Sequence, residues 1–205
     1  SFSRRQRQMC IRDRIERAPA PYLEDNQRQV VCEMATKICE HVGYECAGTV
    51  EFLMDIDTEE FFFIEVNPRI QVEHTITEEV TGIDIVRAQI MLSEGANLNE
   101  AIGKKNQSDI VCNGHAIQCR ITTEDPLNNF IPDYGRITAY RGATGMGIRL
   151  DGGTAYSGAI ITRFYDSLLE KVTAWAPTPK DAISRMDRAL TVSYTHLTLP
   201  TTEAV

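Results

Sequence analysis

From Glu65 to Glu73 the chain alternates. Glu65, Asn67, Arg69, Gln71 and Glu73 are polar, and Val66, Pro68, Ile70 and Val72 between them are apolar. Side chains along an extended chain repeat every two residues, so the alternation predicts one polar stripe bearing two carboxylates, two amides and a guanidinium. The stripe follows Phe61-Phe62-Phe63-Ile64, an apolar run that predicts a buried strand. Upstream, Gly48-Thr49-Val50-Glu51-Phe52-Leu53-Met54 reads as a partner strand, with Asp55-Ile56-Asp57-Thr58-Glu59-Glu60 as the polar turn between them. A hairpin centred on Thr58 sets Glu51 opposite Glu65, with Cβ atoms roughly 5 Å apart. An amphipathic strand with one wet face produces the same alternation. A register off by one would turn one of the two glutamates to solvent.

A period of 3.6 residues appears elsewhere. It predicts a helix over residues 25–41, with Val30 or Val31, Met34, Ile38 and Val42 on one stripe and Gly43 as its stop. A second helix is predicted over about residues 83–93, ended by Gly95, followed by a short turn near residues 99–102. Residues 104–109 form the best boundary. Beyond Ile110 the pattern changes to short strands punctuated by glycine, at residues 115–121, 135–141, 147–150, 159–162 and 170–174, which predicts an antiparallel sheet. Thr178-Pro179-Lys180-Asp181 carries the signals of a helix start, and the helix after it presents Ala182, Ile183, Met186 and Leu190. Parity puts Gln118 and Arg120 on one face of their strand and His115 on the other, where it packs in a core or at an interface. Arg120 by itself reads equally as a surface ion pair.

Composition narrows the classes. The chain has 205 residues, 42% of them hydrophobic, enough for one or two compact units. The net charge of -8 argues against nucleic acid as a partner. No stretch approaches the ~20 apolar residues of a membrane span. The six cysteines include no Cys-x-x-Cys pair and read as buried thiols of a reducing compartment. Gly142-Ala143-Thr144-Gly145-Met146-Gly147 has no strand–loop–helix frame and no following lysine, so it reads as turns and not as a phosphate loop.

The paired acids point to chemistry. Like charges opposite each other are destabilising unless neutralised, and a divalent cation does this; Mg²⁺ commonly takes one or two carboxylates together with substrate phosphates. Asn67 could add an amide oxygen beside Glu51 and Glu65. Arg69 offers a planar fork that matches a carboxylate, bicarbonate or phosphate, Gln71 can donate to the same oxyanion, and Glu73 is a candidate general base.

These residues resemble a known family. Glu51-Phe52-Leu53 and Phe63-Ile64-Glu65-Val66-Asn67-Pro68-Arg69-Ile70-Gln71-Val72-Glu73-His74 are similar to the metal and bicarbonate motif of the biotin carboxylases, which are ATP-grasp enzymes. Gly114-His115-Ala116-Ile117-Gln118-Cys119-Arg120-Ile121 resembles the family's second active-site strand. Thr122-Thr123-Glu124-Asp125-Pro126, Pro132-Asp133-Tyr134-Gly135-Arg136-Ile137, Ile148-Arg149-Leu150-Asp151-Gly152-Gly153 and Tyr165-Asp166-Ser167-Leu168-Leu169 look more like the pyruvate carboxylase branch than the acyl-CoA carboxylases, which remain the alternative. Arg163-Phe164, where the family usually has proline and an aromatic, is one departure. The resemblance implies an α+β fold: the C-terminal lobe of an ATP-grasp fold, then the biotin carboxylase C-terminal antiparallel sheet with flanking helices. It implies Glu51 and Glu65, supported by Asn67, as Mg²⁺ or Mn²⁺ ligands. Arg69, Gln71 and the backbone near Val72 would be the bicarbonate clamp, Glu73 the base, and Arg120 the cation for the biotin enolate. ATP, bicarbonate and biotin on a carrier domain follow as partners, with a homo-oligomeric enzyme in the cytoplasm, or in the mitochondrial matrix of a eukaryote. A degenerate module kept for assembly is the non-catalytic alternative.

The resemblance runs from about Ile15 to Leu190. It implies an ATP-grasp part over residues 15–109 and a C-terminal domain over residues 110–191. The segments 1–14 and 192–205 read as foreign: Met9-Cys10-Ile11-Arg12-Asp13-Arg14 and Ser193-Tyr194-Thr195-His196-Leu197-Thr198-Leu199-Pro200-Thr201-Thr202 resemble translated sequencing-adaptor DNA. A genuine basic arm with Arg4, Arg5 and Arg7, and a genuine tail, are the alternative. The family's nucleotide lobe lies upstream of the matching part, and its biotinyl lysine and acyl-transfer domains lie downstream. The chain therefore reads as an internal fragment that would not turn over ATP by itself.

Overall fold

The computed structural model describes residues 14–153, 155–162, 164 and 167–196. The expectations for residues 1–13 and 197–205, and for Arg163, Tyr165 and Asp166, fall outside that range. The chain divides into two compact units, Pro19–Cys112 on the one hand and Ser1–Ala18 with Asn113–Val205 on the other.

In chain order, strand β1 is Ile15–Ala18 and belongs to the second unit. The first unit then opens with helix α1, Asp25–His41. Gln27 Oε1 accepts from the Glu24 N–H at 2.9 Å at the helix start. At its end Gly43 takes φ +62, and the Tyr44 N–H reaches back to the Cys39 carbonyl at 2.9 Å. Of the predicted stripe, Val31, Met34 and Ile38 are half-buried and Val30 and Val42 exposed. No α1 residue is fully buried. An open groove of about 500 Å³ separates Val30 and Met34 from Phe61 and Phe62, which accounts for the incomplete packing.

Strands β2 (Thr49–Met54) and β3 (Phe61–Asn67) form an antiparallel hairpin. Glu51 does pair with Glu65, but a bulge at Ile64 shifts the register, so that Phe52 pairs with Phe63 and Met54 with Phe61. The turn is tied by Asp55, whose Oδ1 accepts from the N–H groups of Asp57 and Thr58 at 2.8 and 3.0 Å. Phe52 and Phe63 meet edge to face with ring centroids 6.0 Å apart. The expected burial of the phenylalanine run is corrected: Phe62 and Phe63, which stand on opposite faces of the two-stranded sheet, are both about half exposed, and Phe62 borders the open groove.

Three helices complete this unit: α2 (His74–Thr81), α3 (Ile85–Ser93) and α4 (Leu98–Ile102). Helix α2 begins directly after the alternating stretch, and the sequence reading placed no helix over residues 74–81. Asp84 caps α3 through Arg87 N–H at 2.7 Å, and Asn97 caps α4 through Glu100 N–H at 3.0 Å. Thr75, Ile76, Glu78, Val80, Ala88 and Ala101 are the unit's buried side chains.

The second unit is built on β4 (His115–Thr122). The short pairs β5 (Glu124–Asp125) with β6 (Ile131–Pro132), and β7 (Gly135–Arg136) with β9 (Ile160–Ile161), surround β8 (Ile148–Gly152) and β10 (Leu168–Ala176). The main sheet is antiparallel, in the order β1-β4-β10-β8. Helix α5, Pro179–His196, packs Ala182, Met186 and Ala189 on Ile117, Cys119, Val172, Ala174 and Ala176. Its start is capped as predicted: Thr178 Oγ1 accepts from the Asp181 N–H at 3.2 Å and donates to Asp181 Oδ2 at 2.7 Å. Ile183 is exposed, not part of the buried stripe, and Ala189 takes that place. Gly147 shows why the chain needs glycine before β8: its φ is +75, and a Cβ there would lie 2.4 Å from the Trp175 carbonyl.

Two boundaries differ from expectation. Ile15–Ala18 pairs with β4, Ile15 opposite Cys119 and Ala18 opposite Ala116, so it is an edge strand of the C-terminal sheet and not the start of the first unit. Arg14, expected in a foreign tail, forms an ion pair with Glu124 and lies 4.5 Å from the Phe130 ring centroid. At the other end α5 continues past residue 191, and Val192 packs on the core.

Glu170 is the buried acid of this core, 2% exposed, with Tyr140 donating to its Oε2. Burial holds its carboxyl above the ordinary glutamate range, and the Tyr140 hydrogen bond opposes this in part. A raised acid favours the folded state fully below the ordinary glutamate value, and that contribution is lost as pH rises through the folded-state value. Denaturant unfolding across a pH series should show this decline in the native chain. Glu170→Gln, which keeps the acceptor for Tyr140, should flatten it; an unchanged pH profile would show that Glu170 does not carry the linkage.

Candidate functional site

The hairpin brings two glutamates together. Glu51 and Glu65 are cross-strand partners, both half-buried. Asn67 stands against both: its Nδ2 donates to Glu51 Oε1 at 3.0 Å and to Glu65 Oε1 at 3.4 Å. Gln71 Nε2 donates to the same Glu51 oxygen at 3.2 Å. Asn67 is paired with Thr49 at the open end of the hairpin, and its carbonyl lies close to Gly48. A Cβ on Gly48 would sit 3.2 Å from that carbonyl and 3.0 Å from Tyr44 Cε1, so a side chain there would crowd the strand end.

Arg69, Gln71 and Glu73 do come together, but not by the pleat of a strand. Strand β3 ends at Asn67, where Pro68 cannot donate to a ladder. The Arg69 N–H turns back to the Asn67 carbonyl at 2.8 Å, and Val72 and Glu73 form the turn into α2. The expected extended stripe over residues 65–73 is therefore corrected to a strand end, a turn and a helix start. Arg69, Gln71 and Glu73 line one cleft of about 320 Å³ with Thr49, His74 and Thr77. Arg69 Nη1 rests on the Ile70 carbonyl at 3.2 Å, with its side chain exposed. Glu73 occupies the N-cap position of α2 without its side chain capping a helix N–H.

Arg120 lies in the other unit. Its Nη2 is 2.7 Å from Glu16 Oε1, and Gln118 Nε2 donates to Glu16 Oε2 at 3.0 Å. Gln118 and Arg120 share a face, as parity predicted, and His115 is half-buried. Sequence reasoning missed Glu16, because nothing local marks a partner about a hundred residues away. His74 was given no role of its own from the sequence, yet only 13% of its side chain is exposed.

Among the described residues no group of three or more His, Cys, Asp or Glu side chains is arranged to hold a metal ion. Glu51 and Glu65 with the Asn67 and Gln71 amides form a two-carboxylate set, which suits Mg²⁺ completed by water and phosphate oxygens. Asn67 here turns its nitrogen to the acids; a half-turn of the amide would offer its oxygen. The cysteine expectation is corrected. Cys119 is buried, and burial pushes its thiol up to about 11, with the Glu16 charge adding to the effect. Cys32, Cys46 and Cys112 are exposed and Cys39 half-buried, because none of the α1 residues is fully covered and the other two lie in connections.

Two family models match the chain: "Carbamoyl-phosphate synthase L chain, ATP binding domain" over residues 4–101 and "Biotin carboxylase C-terminal domain" over residues 118–199. Pyruvate carboxylase of Staphylococcus aureus is 54% identical over 177 residues, covering 86% of this chain and 15% of that protein. Mitochondrial pyruvate carboxylase of Rattus norvegicus is 51% identical over 176 residues, with the same coverage. The chain belongs to the biotin carboxylase family. The crystal structure of a complete multifunctional pyruvate carboxylase from Rhizobium etli matches with a TM-score of 0.82 and 67% identity, over 88% of this chain and 18% of that one. The biotin carboxylase domain of a thermophilic 2-oxoglutarate carboxylase, bound to bicarbonate, matches with a TM-score of 0.84 and 39% identity, over 92% of this chain and 41% of that one. This chain thus spans about 15% of the length of the curated relatives it matches. As a biotin carboxylase segment it has the α+β fold expected: part of an ATP-grasp lobe followed by the C-terminal antiparallel sheet and its helices. Among the described residues no helix is long and apolar enough to cross a membrane.

Without a cation, the facing glutamates repel across the hairpin. In chelator-containing buffer Glu51→Gln, which keeps the acceptor for Asn67, should stabilise the chain by about 0.5 kcal/mol in denaturant unfolding. A clear destabilisation would mean that the pair does not store repulsion.

Proposed function

We propose that this segment carries the metal, bicarbonate and biotin-facing part of the ATP-dependent carboxylation of biotin in a pyruvate carboxylase. The observation that supports it best is the continuity of the two halves of the site. Gln71 lines the cleft with Arg69 and Glu73 and also donates to Glu51 of the acidic pair.

In this reading Glu51 and Glu65, with Asn67, hold Mg²⁺ or Mn²⁺, which supplies neutralisation of the phosphoryl charge of ATP. Arg69, Gln71 and the backbone at Val72 receive bicarbonate. The guanidinium fork matches two oxygens of the anion, and its exposed position leaves it free to turn from the Ile70 carbonyl toward a ligand. Glu73, at the N-terminus of α2, takes the bicarbonate proton as a bicarbonate oxygen attacks the terminal phosphorus of ATP. The products are ADP and carboxyphosphate, which breaks down to CO2 and phosphate next to biotin. Arg120 supplies a fixed cation for the biotin oxygen in place of its partner Glu16. Pyruvate as the final acceptor is taken from the relatives' names, and biotin on a carrier domain and a homo-oligomeric enzyme are what the family resemblance implies.

The test is Glu73→Gln in a full-length pyruvate carboxylase carrying this segment. Bicarbonate-dependent ATP cleavage should fall by about 10²- to 10⁴-fold with the unfolding midpoint unchanged. Cleavage near the wild-type rate would remove Glu73 from the proposed role.

A further inference from the structure

His74 holds the turn that carries the cleft. The Gln71 carbonyl accepts two bonds from this one residue, from the His74 backbone N–H at 3.3 Å and from the ring Nδ1 at 2.8 Å. A carbonyl oxygen only accepts, so Nδ1 carries a proton and the ring is fixed in orientation. The other ring nitrogen faces Glu78, with Nε2 3.7 Å from Glu78 Oε2. Glu78 is 8% exposed, and its Oε1 accepts from the Ile85 N–H at 2.8 Å, at the first residue of α3. A continuous row therefore runs from α3 through Glu78 and His74 to the backbone of Gln71, and through the Gln71 amide to Glu51. The turn itself has little else of regular structure: it lies between the end of β3 and the start of α2.

We propose that His74 is a positioning residue for the oxyanion side of the cleft: by clamping the Gln71 carbonyl it sets the placement of Arg69, Gln71 and Glu73 relative to the acidic pair. This rests on the functional reading above, in which that turn receives bicarbonate. The effect of His74 is exerted through Gln71, whose carbonyl it holds. Loss of the ring donor would leave a carbonyl with one weak bond and let the turn shift, so the effect falls on the anion and not on the nucleotide.

The experiment uses a full-length pyruvate carboxylase carrying this segment, with four variants. Asparagine places an amide N–H near the position of Nδ1, glutamine reaches only the Nε2 position, and leucine supplies neither. Glu51→Gln is the control for the functional reading. His74→Gln and His74→Leu should each raise KM for bicarbonate by about fivefold or more while KM for MgATP stays within about twofold, and His74→Asn should remain close to wild type. Equal rises in both KM values, no rise with glutamine, or a failure of asparagine to recover would each overturn the proposal. If leucine prevents folding, the asparagine–glutamine contrast still decides. Full activity of Glu51→Gln would instead defeat the functional reading itself, whereas an inactive Glu51→Gln with an unaffected His74→Gln would defeat only the role of His74.

Discussion

Two carboxylates set opposite each other across one hairpin are the constraint on which the site depends. Like charges placed directly opposite each other on neighbouring strands destabilise a sheet by about 0.2 to 1 kcal/mol. The local chain is arranged around that cost. Asn67 donates to both acids and Gln71 to one of them, and the bulge at Ile64 lets the strand run on to Phe63 without moving Glu65 from its place opposite Glu51. Two neutral amide donors reduce the repulsion but do not cancel two negative charges. A cation would complete the arrangement, and the reading of this unit as a metal and anion site follows from that imbalance.

The neighbouring cleft depends on the same residues. Pro68 ends the strand, the turn at Arg69 sends the chain back, and the start of α2 fixes Glu73. Arg69, Gln71 and Glu73, spread over five positions of sequence, thereby gather in one cleft. In the sheet-bearing unit there is a half-buried ion pair: Glu16 on an edge strand is held by Arg120 and Gln118 from β4. An unpaired guanidinium there would be costly, and the pair with Glu16 offsets that cost.

Much of this was legible in the sequence where the signal is local. Helix α1 was predicted with its observed ends, because its apolar stripe and its glycine stop are both local signals. The Glu51–Glu65 pairing was predicted from turn length, although the bulge was not, and the compensating shift lies entirely on the far side of Glu65. What failed was the inference from alternation to strand. Period two in residues 65–73 fitted an extended chain, but Pro68 breaks it and a helix begins at His74. The site residues converged all the same, since a turn can collect alternate side chains as a strand does. Long-range partners left no local mark: Ile15–Ala18 joins β4, and Glu16 meets Arg120, across about a hundred residues. Burial of the phenylalanine run was overestimated for the same reason, since hydrophobicity does not state what will cover it.

Manganese binding to a full-length pyruvate carboxylase carrying this segment, read by electron paramagnetic resonance with ADP present, tests the central claim most directly. Glu51→Gln and Glu65→Gln should each weaken binding by about tenfold or more, while Glu60→Gln, in the exposed hairpin turn, should leave it unchanged. Wild-type affinity in either of the first two variants would show that these carboxylates do not share one divalent ion.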